Sequence, residues 1–366
     1  MASSIDELDT PIVLVDQSVV ERNLSRMAQK ARQHGMALVP HAKTHKSPHW
    51  ARRQLDYGSP RIMVSKLGEA SVLLEAGIAE QFIGYPLVGA IKAAQLTSLM
   101  SQGLHPVVAV DSQAGVDLLA ECTRATGQPI AALVEVDTGF GRCGLSADAD
   151  VVALARYAVD AGVGYQGITC FGGHITWRHE PDRIAQLVAA EGQRLAACAA
   201  ALAGADLPAS VVSEGGTVIA GYMDAVTAAT EMRPGIYIYN DVGTVVAGAA
   251  GWDDCGAVVW TTVVSTPSAD RAVIDAGSKS LSVDGPIRNS FGYIRERPDL
   301  HISFLSEEHG VVVRDGGGPT GLMIGQRLTV IPNHVCTMIN LHDEVAVHAD
   351  GLVVARLAVA MRGAVR

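Results

Sequence analysis

Short apolar runs, each followed by a stretch with helical spacing, recur along the first two thirds of this 366-residue chain. The runs are rich in valine and isoleucine and do not alternate with polar residues, as expected for strands that are buried on both faces. Helical patterns such as SVVERNLSRMAQKARQHG and GEASVLLEAGI fill the gaps between them. Eight such repeats are typical of a (β/α)8 TIM barrel, an α/β fold. We predict its strands at 37–41, 62–66, 82–86, 106–111, 131–137, 165–173, 210–216 and 235–241.

The pattern changes near residue 245. From GAVVWTTVVST onward, short β-type runs are broken by Gly, Pro, Asp and Ser, and no long amphipathic helix is indicated. Such a pattern favours a C-terminal all-β domain. TPIVLVD at 10–16 precedes the barrel and could add a strand to that domain. We therefore predict a barrel over 17–243 and a β domain formed by 1–16 and 244–366.

Composition and charge narrow the class of protein. Hydrophobic residues make up 48% of the chain and charged residues 18%, which predicts a large core and excludes disorder. The net charge of −10 argues against a nucleic-acid or anionic-membrane partner. No apolar run reaches 18 residues, and the N-terminus lacks a signal-peptide pattern. Six scattered cysteines without a C-x-x-C motif are expected to be reduced thiols, so we expect a cytoplasmic protein.

The C-terminal ends of barrel strands form the active-site face of such folds. Lys43, within VPHAKTHKSPHW, follows the first predicted strand, and a Ser-Glu-Gly-Gly-Thr turn at 213–217 follows the seventh. Barrels often hold a phosphate on backbone N–H groups at the second of these places. A lysine that faces such a turn suggests a Schiff base with pyridoxal phosphate. An ordinary glycine-rich turn would give the same local sequence.

Several motifs resemble the D-threonine aldolase / D-serine dehydratase family, which are pyridoxal-phosphate enzymes of the alanine-racemase-like fold, fold type III. The likeness runs in order over nearly the whole chain. The architecture of that family, a barrel followed by a β domain, agrees with the periodicity described above. The motifs are TPIVLVD, ERNLSRM, PHAKTHKSP, DTGFGRCGL, RPGIYIYND, SEEHG and PNHVCTMINLHDE.

The resemblance implies a set of cofactor contacts. Lys43 matches the lysine that binds the cofactor, and Arg142 matches the arginine beside the cofactor ring. A structural ion pair with Glu135 or Asp137 is the alternative for Arg142, and Lys46 is interpreted as a solvated neighbour. The other implied contacts, which include two histidines that could equally serve packing, are His41, His174, Gly216, Thr217, Tyr239 and Asn240.

The motif PNHVC supplies a metal hypothesis. Side chains at i and i+2 on an extended strand point to the same side, so His334 and Cys336 could hold one ion. A single H-x-C pair is weak evidence, but in the resembled family this pair binds a divalent metal and leaves positions open, as suits catalysis. Members of the aldolase branch carry aspartate in place of Cys336, whereas the dehydratase branch carries cysteine. Thiolate favours Zn2+, and carboxylate favours Mn2+ or Mg2+.

The activity implied is a lyase that depends on pyridoxal phosphate and a divalent metal and acts on D-β-hydroxy-α-amino acids. The D-threonine aldolase reaction breaks Cα–Cβ and gives glycine and an aldehyde. The alternative is a dehydratase acting on D-serine or D-threo-3-hydroxyaspartate, which gives an oxo acid and ammonia. Candidate bases are Lys43, a water molecule bound to the metal, and His309 in SEEHG.

Other functions fit the sequence less well. An amino-acid racemase of the same fold needs a second catalytic base and no metal pair. A non-catalytic pyridoxal-phosphate carrier lacks a β domain, and a plain phosphate-sugar barrel enzyme explains neither Lys43 nor the H-x-C pair. We therefore expect an aldolase with a small amino acid as its substrate and without nucleic-acid or membrane partners. The resemblance also implies a head-to-tail homodimer in which the partner's β domain completes each site.

Overall fold

The computed structural model describes residues 4–366, which divide into two compact units. The barrel unit comprises residues 26–43, 48–235 and 363–366. The β unit comprises residues 4–25, 44–47 and 236–362. The predicted domain bounds, 17–243 against 1–16 and 244–366, stay a prediction, and residues 1–3 of the first segment lie outside the described residues.

The elements are numbered along the chain. The strands are β1 (Ile12–Asp16), β2 (Ala37–Leu38), β3 (Ile62–Val64), β4 (Glu80–Ile83), β5 (His105–Val110), β6 (Ala131–Val136), β7 (Gly164–Phe171), β8 (Val211–Gly215), β9 (Glu231–Arg233), β10 (Ala257–Ser268), β11 (Arg271–Ile274), β12 (Tyr293–Ile294), β13 (Leu300–Leu305), β14 (Gly310–Arg314), β15 (Arg327–Ile331), β16 (Glu344–Ala349) and β17 (Leu352–Ala358). The α-helices are α1 (Gln17–Gln33), α2 (Pro48–Asp56), α3 (Leu67–Glu75), α4 (Ala90–Ser101), α5 (Gln113–Thr126), α6 (Asp148–Asp160), α7 (Pro181–Gly204), α8 (Thr217–Gly221), α9 (Val242–Val246), α10 (Ser278–Leu281) and α11 (Val335–Ile339). Single 3-10 turns occur at Ile5–Glu7, Met223–Ala225, Ile236–Ile238 and Trp252–Asp254.

The barrel unit contains an eight-stranded parallel sheet in the order β2-β9-β8-β7-β6-β5-β4-β3. The ends of this sheet join through a parallel bridge between His41 and Met63. The N–H of Ala42 donates to the Met63 carbonyl, and the N–H of Met63 donates to the Pro40 carbonyl, each at 2.8 Å. The sheet is therefore closed, which confirms the predicted TIM barrel. Side chains from the strands fill its interior, as is usual in such barrels: Val39, Met63, Phe82, Val107, Ala109 and Leu133.

Seven predicted strands overlap β2 to β8, but the eighth is wrong. The apolar stretch 235–241 contains the 3-10 turn Ile236–Ile238, and the eighth barrel strand is β9. Both charged side chains of β9 are buried and paired, because Glu231 binds Arg61 and Arg233 donates to a backbone carbonyl of β7. A strand whose buried side chains are satisfied by polar partners has no apolar run by which sequence could reveal it.

The β unit is built on a nine-stranded sheet that is mostly antiparallel. Strands β10, β11, β14, β13, β12 and β15 pair in that order, and β15 pairs again with β10, which closes a small barrel. Strand β1 extends the sheet, antiparallel to β10 and parallel to β16. The α-helices after β10 have only four or five residues. The prediction of a C-terminal all-β domain is confirmed.

Within the described part of the chain, no helix has the length and apolar character needed to cross a bilayer.

Candidate active site

The turn that carries Lys43 follows β2 and is braced by His41. His41 is buried, and its Nδ1 accepts the backbone N–H of Lys43 at 3.3 Å. A ring nitrogen that accepts a hydrogen bond carries no proton. In the neutral imidazole the ring proton is therefore on Nε2, which donates to Ser65 Oγ at 3.2 Å. The imidazole thus ties the Lys43 turn to the residue that follows β3. A contact between His41 and the cofactor stays a prediction.

Lys43 and Arg142 meet at one aromatic ring, that of Phe171 at the end of β7. The Lys43 Nζ lies 5.5 Å from the ring centroid, and the Arg142 guanidinium carbon lies 4.8 Å from it. Phe140 adds a second ring, 5.1 Å from the same guanidinium carbon and edge-on to Phe171. An aromatic face attracts cations without neutralising them. The structure therefore brings together two residues that the sequence predicts beside the cofactor.

A glycine turn follows the strand next to Phe171. Phe171 and Gly215 are paired in register between β7 and β8, and Gly216 then leads into α8. Gly216 has φ +135°, a conformation that side chains rarely allow. Helix α8 begins at Thr217, so its first N–H groups have no acceptor within the helix. The Thr217 hydroxyl accepts the N–H of Gly235 at 3.2 Å, which ties the turn to the residues after β9.

Two carboxylates near Arg142 have different surroundings. Burial raises the pKa of Glu135, although Arg233 and Arg142 act in the opposite direction. Two backbone N–H groups of the next turn, at 2.9 and 3.1 Å, lower the pKa of Asp137. Over residues 4–366 the Arg142 guanidinium lies over aromatic rings and forms an ion pair with neither carboxylate.

His174 lies beyond the end of β7, close to this acidic turn. It contributes to the lowered pKa of Asp137, and a side chain at Gly139 would begin 3.8 Å from its Nε2. Its Nδ1 is buried and has no hydrogen-bond partner within residues 4–366. A buried nitrogen of this kind costs free energy unless a ligand or water satisfies it, which is compatible with the predicted contact.

Glu214 and Glu191 form a buried carboxyl pair that the sequence did not indicate. Glu214 is fully buried and Glu191 is 3% exposed, and within residues 4–366 neither oxygen of Glu214 has a hydrogen-bond partner. Thr138 donates a hydrogen bond of 2.6 Å to Glu191. Burial, followed by the neighbouring Glu191, raises the pKa of Glu214 to about 9. At neutral pH the pair therefore keeps a proton, one residue before the glycine turn.

The predicted metal ligands lie in the β unit at the start of α11, so their prediction on an extended strand is wrong. His334 precedes the helix with φ −139° and ψ 107°, and Cys336 lies in its first turn. The Asp241 carboxylate accepts the N–H of Val335 at 3.1 Å and so satisfies one of the N–H groups that a helix start leaves free. The imidazole and the thiol nevertheless lie close enough for Cys336 to raise the pKa of His334.

Acidic and hydroxyl groups surround this pair within the β unit. Burial lowers the pKa of His334, but Cys336, Asp241 and Asp284 outweigh burial and raise it to about 9. The Asp284 Oδ2 lies 3.2 Å from His334 Nδ1. The Thr44 hydroxyl lies 3.1 Å from the Cys336 sulfur. The site thus combines an imidazole and a thiol with nearby negative charge.

Tyr239 and Asn240 were expected at the end of the eighth barrel strand, which is wrong, because that strand is β9. They belong to the β unit and follow the 3-10 turn Ile236–Ile238. Tyr239 is buried, and Asn240 has φ +51°. The Asn240 amide nitrogen donates to the carbonyls of Tyr237 and Asp254 at 3.1 and 3.2 Å. The Asn240 amide nitrogen is therefore used in backbone contacts of the β unit. Contact of Tyr239 or Asn240 with a phosphate stays a prediction.

His309 and Lys46 occupy opposite environments. His309 lies in the exposed turn between β13 and β14, where its carbonyl accepts the N–H of Ser306 at 2.9 Å. Lys46 was interpreted as a solvated cation, which is wrong, because it is only 8% exposed. Its ammonium donates to the Met361 carbonyl at 3.3 Å. A long apolar stem allows a lysine to be buried when its head finds an acceptor.

Sequence reasoning missed Phe171, Asp284 and Thr44. Phe171 lies inside a predicted strand, and its sequence neighbours Cys170 and Gly172 give no sign that it contacts cations. Asp284 lies far from PNHVC in the sequence, so no local spacing connects it with His334. Thr44 was hidden beside Lys43 in a motif interpreted through its lysine.

Comparison with known proteins places this chain in a family. The model of the alanine racemase N-terminal domain matches residues 15–242, and a serine dehydratase domain model matches residues 256–348. The chain is 34% identical to D-threonine aldolase of Arthrobacter sp., over 94% of this chain and 90% of that protein. The chain belongs to the D-threonine aldolase / D-serine dehydratase family.

Other members of the D-threonine aldolase / D-serine dehydratase family support this placement. D-threo-3-hydroxyaspartate dehydratase of Delftia sp. strain HT23 is 30% identical, over 92% of this chain and 93% of that protein. The crystal structure of D-threonine aldolase from Filomicrobium marinum is 30% identical, with a TM-score of 0.89 over 100% of this chain and 99% of its own. A D-threo-3-hydroxyaspartate dehydratase structure, 26% identical with a TM-score of 0.88 over 97% of this chain and 98% of its own, is a cysteine-to-alanine mutant in the metal-free form. These relatives are lyases acting on D-amino acids.

The barrel unit fits the pyridoxal phosphate of this fold-type-III family. Two cations, Lys43 and Arg142, share one ring, and the glycine turn begins beside that ring, so cations and backbone N–H groups are available to an anionic aldehyde. Glycine is needed in this turn, because a side chain at Gly215 would begin 2.7 Å from the Arg233 guanidinium.

The β unit fits the two-ligand metal site predicted from the D-threonine aldolase / D-serine dehydratase family. An imidazole nitrogen and a thiol sulfur that lie near each other form a donor set that suits Zn2+. Among residues 4–366, no group of three or more His, Cys, Asp and Glu side chains is arranged to hold a metal ion. A cation bound by His334 and Cys336 would therefore keep coordination positions for other ligands.

Proposed function

We propose that this protein is a lyase that depends on pyridoxal phosphate and a divalent metal and cleaves D-β-hydroxy-α-amino acids in the manner of a D-threonine aldolase. The observation that carries the proposal is the placement of the His334 imidazole near the Cys336 thiol at the start of α11, in a chain whose relatives are lyases. A racemase of this fold has no use for such a pair.

The residues of the barrel unit have assigned roles in this proposal. Lys43 would hold the cofactor through its amine, and Arg142 would keep a positive charge beside it. Gly216 and Thr217 would offer backbone N–H groups to its phosphate. When bound, the cofactor supplies a sink for the electrons of a bond broken at the substrate α-carbon. Lys43 Nζ, once released, is a base within the same turn.

His334 and Cys336 would hold the cation, whose chemistry is to lower the pKa of a substrate β-hydroxyl. Two mutants of D-threo-3-hydroxyaspartate dehydratase support this role. They replace a histidine and a cysteine two positions apart, the spacing of His334 and Cys336, and the cysteine mutant is in the metal-free form. Thr44, which lies at the Cys336 sulfur, directly follows Lys43 in the chain.

Two observations favour the cleavage of different bonds in the substrate. The overall likeness is to a D-threonine aldolase, at 34% identity, which supports cleavage of Cα–Cβ. The thiol ligand at Cys336 favours the second candidate, a dehydratase that removes the hydroxyl and releases ammonia. Placement of the base decides between them, because the bond that breaks must be aligned with the electron sink.

One assay distinguishes these reactions. Purified protein loaded with pyridoxal phosphate is incubated with D-threonine and with D-serine, before and after exhaustive dialysis against EDTA, and with Zn2+, Mn2+ or Mg2+ added back. We expect glycine and acetaldehyde from D-threonine, lost on chelation and restored by a metal. Production of 2-oxobutyrate or pyruvate with ammonia identifies a dehydratase instead.

Two variants test the assigned residues. Lys43→Ala should lose both activity and the visible absorbance of the bound cofactor, expected near roughly 410–420 nm, whereas Lys92→Ala in α4 should retain both. Cys336→Ala should keep the absorbance and lose the metal-dependent activity. Full turnover after complete chelation would refute the metal role.

A further inference from the structure

Asp284 contacts the proposed metal ligand His334 on a defined side of its ring. Its Oδ2 lies 3.2 Å from Nδ1 of His334. The same oxygen accepts hydrogen bonds from the hydroxyls of Ser282, at 3.0 Å, and Thr337. The Ser282 oxygen also lies 3.1 Å from the Thr337 oxygen, so its single proton has two alternative acceptors. The carboxylate is therefore held at the imidazole by its own set of donors.

The position of Asp284 fits a role through His334 and not a role as a third ligand. Within residues 4–366, no arrangement of three or more His, Cys, Asp and Glu side chains capable of holding a metal occurs, although Asp284, His334 and Cys336 lie in one unit. The other nearby carboxylate, Asp241, is committed to the backbone, because its oxygens accept the N–H groups of Val335 and Thr244 at 3.1 and 2.9 Å. Asp284 alone of these two meets the imidazole nitrogen directly.

The chemistry of such a contact is general. A carboxylate at one ring nitrogen holds the proton there, which leaves the other nitrogen as the electron pair that binds a metal. It also fixes the orientation of the ring and increases its basicity as a ligand. A protein that supplies only two ligands depends strongly on the strength of each one.

We propose that Asp284 is a positioning residue that holds the proton of His334 on Nδ1 and so directs Nε2 to the divalent cation. The inference rests on the proposed function, because it requires a cation at His334 and Cys336. Ser282 and Thr337 take part in this positioning, because their hydroxyls hold the Asp284 carboxylate in place.

Metal affinity tests the inference without enzymatic activity. Wild type and the variants Asp284→Asn, Asp284→Glu, Asp343→Asn and His334→Ala are freed of metal, and Zn2+ binding is measured by competition with a chromophoric chelator. Asp284→Asn should bind Zn2+ about 10- to 100-fold more weakly, and Asp284→Glu should recover part of that loss. Asp343→Asn removes the same charge from an exposed residue paired with Arg362 and should bind within twofold of wild type.

A second readout separates positioning from misfolding. Co2+ bound to a thiolate gives a near-ultraviolet charge-transfer band, which Asp284→Asn should retain at saturating metal because Cys336 is intact. The double variant Ser282→Ala/Thr337→Val keeps the carboxylate and should weaken Zn2+ binding by less than Asp284→Asn does. Zn2+ affinity of Asp284→Asn within twofold of wild type would overturn the inference while leaving the proposed function standing. Unchanged Zn2+ affinity in His334→Ala would instead overturn the proposed metal site itself.

Discussion

At the scale of single residues, Phe171 is the side chain that joins the predicted cofactor contacts. Lys43 and Arg142 both lie over its ring, while Phe140 touches only Arg142 of these two. A cation over an aromatic ring contributes about 0.5–2 kcal/mol, depending on how far it is desolvated. We predict that Phe171→Leu, which keeps apolar volume but removes the ring, weakens the affinity for pyridoxal phosphate about tenfold. Titration of the apoprotein with cofactor, followed by absorbance, measures the change.

Phe140→Leu is the matched control for that prediction. It removes a ring that contacts Arg142 but not Lys43, so the loss in cofactor affinity should be clearly smaller. Equal losses in the two variants would mean that the ring of Phe171 has no special role. No loss in either variant would remove the aromatic contact from the account of cofactor binding.

The carboxyl pair predicts a dependence of stability on pH. The pKa of Glu214 is raised from 4.5 to about 9 in the folded protein. Between these values the folded chain keeps a proton that the unfolded chain has released, so the free energy of unfolding falls as pH rises. This contribution is complete below pH 4.5 and is lost as pH passes 9. One such group adds a slope of up to about 1.4 kcal/mol per pH unit.

Glu214→Gln removes this titration, and we expect a flatter stability profile between pH 5 and 9 for that variant. Urea unfolding at several pH values measures the free energy of unfolding for the variant and wild type. Glu75→Gln, at an exposed position of α3, should leave the wild-type slope unchanged. Parallel profiles for Glu214→Gln and wild type would contradict a shared proton at this pair.

Among the helices and strands, the sequence predicts those whose position is determined by buried apolar residues. It does not predict those whose position is determined by polar contacts. Strands β2 to β8 carry apolar runs and were located correctly. Strand β9 carries Glu231 and Arg233, and its pairing with Arg61 and Ser213 cannot be read from hydrophobicity. Likewise, Asp241 caps the start of α11 from a distant place in the sequence, so PNHVC resembled a strand. Family motifs supplied candidate residues, but not the partners that hold them.

The polar strand gives a prediction of its own. Glu231→Leu would leave the partly exposed guanidinium of Arg61 without its partner in the barrel unit, and an unsatisfied group of this kind costs about 1–3 kcal/mol or somewhat more when charged. We expect urea unfolding to show a loss of about 3 kcal/mol for Glu231→Leu. The double variant Arg61→Leu/Glu231→Leu should recover at least half of that loss. A single variant as stable as wild type would show that the ion pair contributes nothing to β9.

For the whole molecule, the position of His309 bears on whether each active site needs residues from a second subunit. It lies in an exposed turn of the β unit, while Lys43 belongs to the barrel unit. We predict a homodimer in which His309 acts in the site of the partner, as the head-to-tail arrangement expected from the family motifs would require. Subunits with different defects should then complement each other.

A mixture of Lys43→Ala and His309→Ala subunits tests this arrangement. Each variant alone should be inactive, but after subunit exchange half of the dimers combine both, and one of their two sites is intact. The mixture should therefore recover about one quarter of wild-type activity on D-threonine, with the dimer confirmed by sedimentation. Lys43→Ala mixed with Arg142→Ala is the control, because both residues lie in the barrel unit and no intact barrel forms. Recovery in both mixtures or in neither, or a monomer by sedimentation, would exclude a site completed by His309 of the partner.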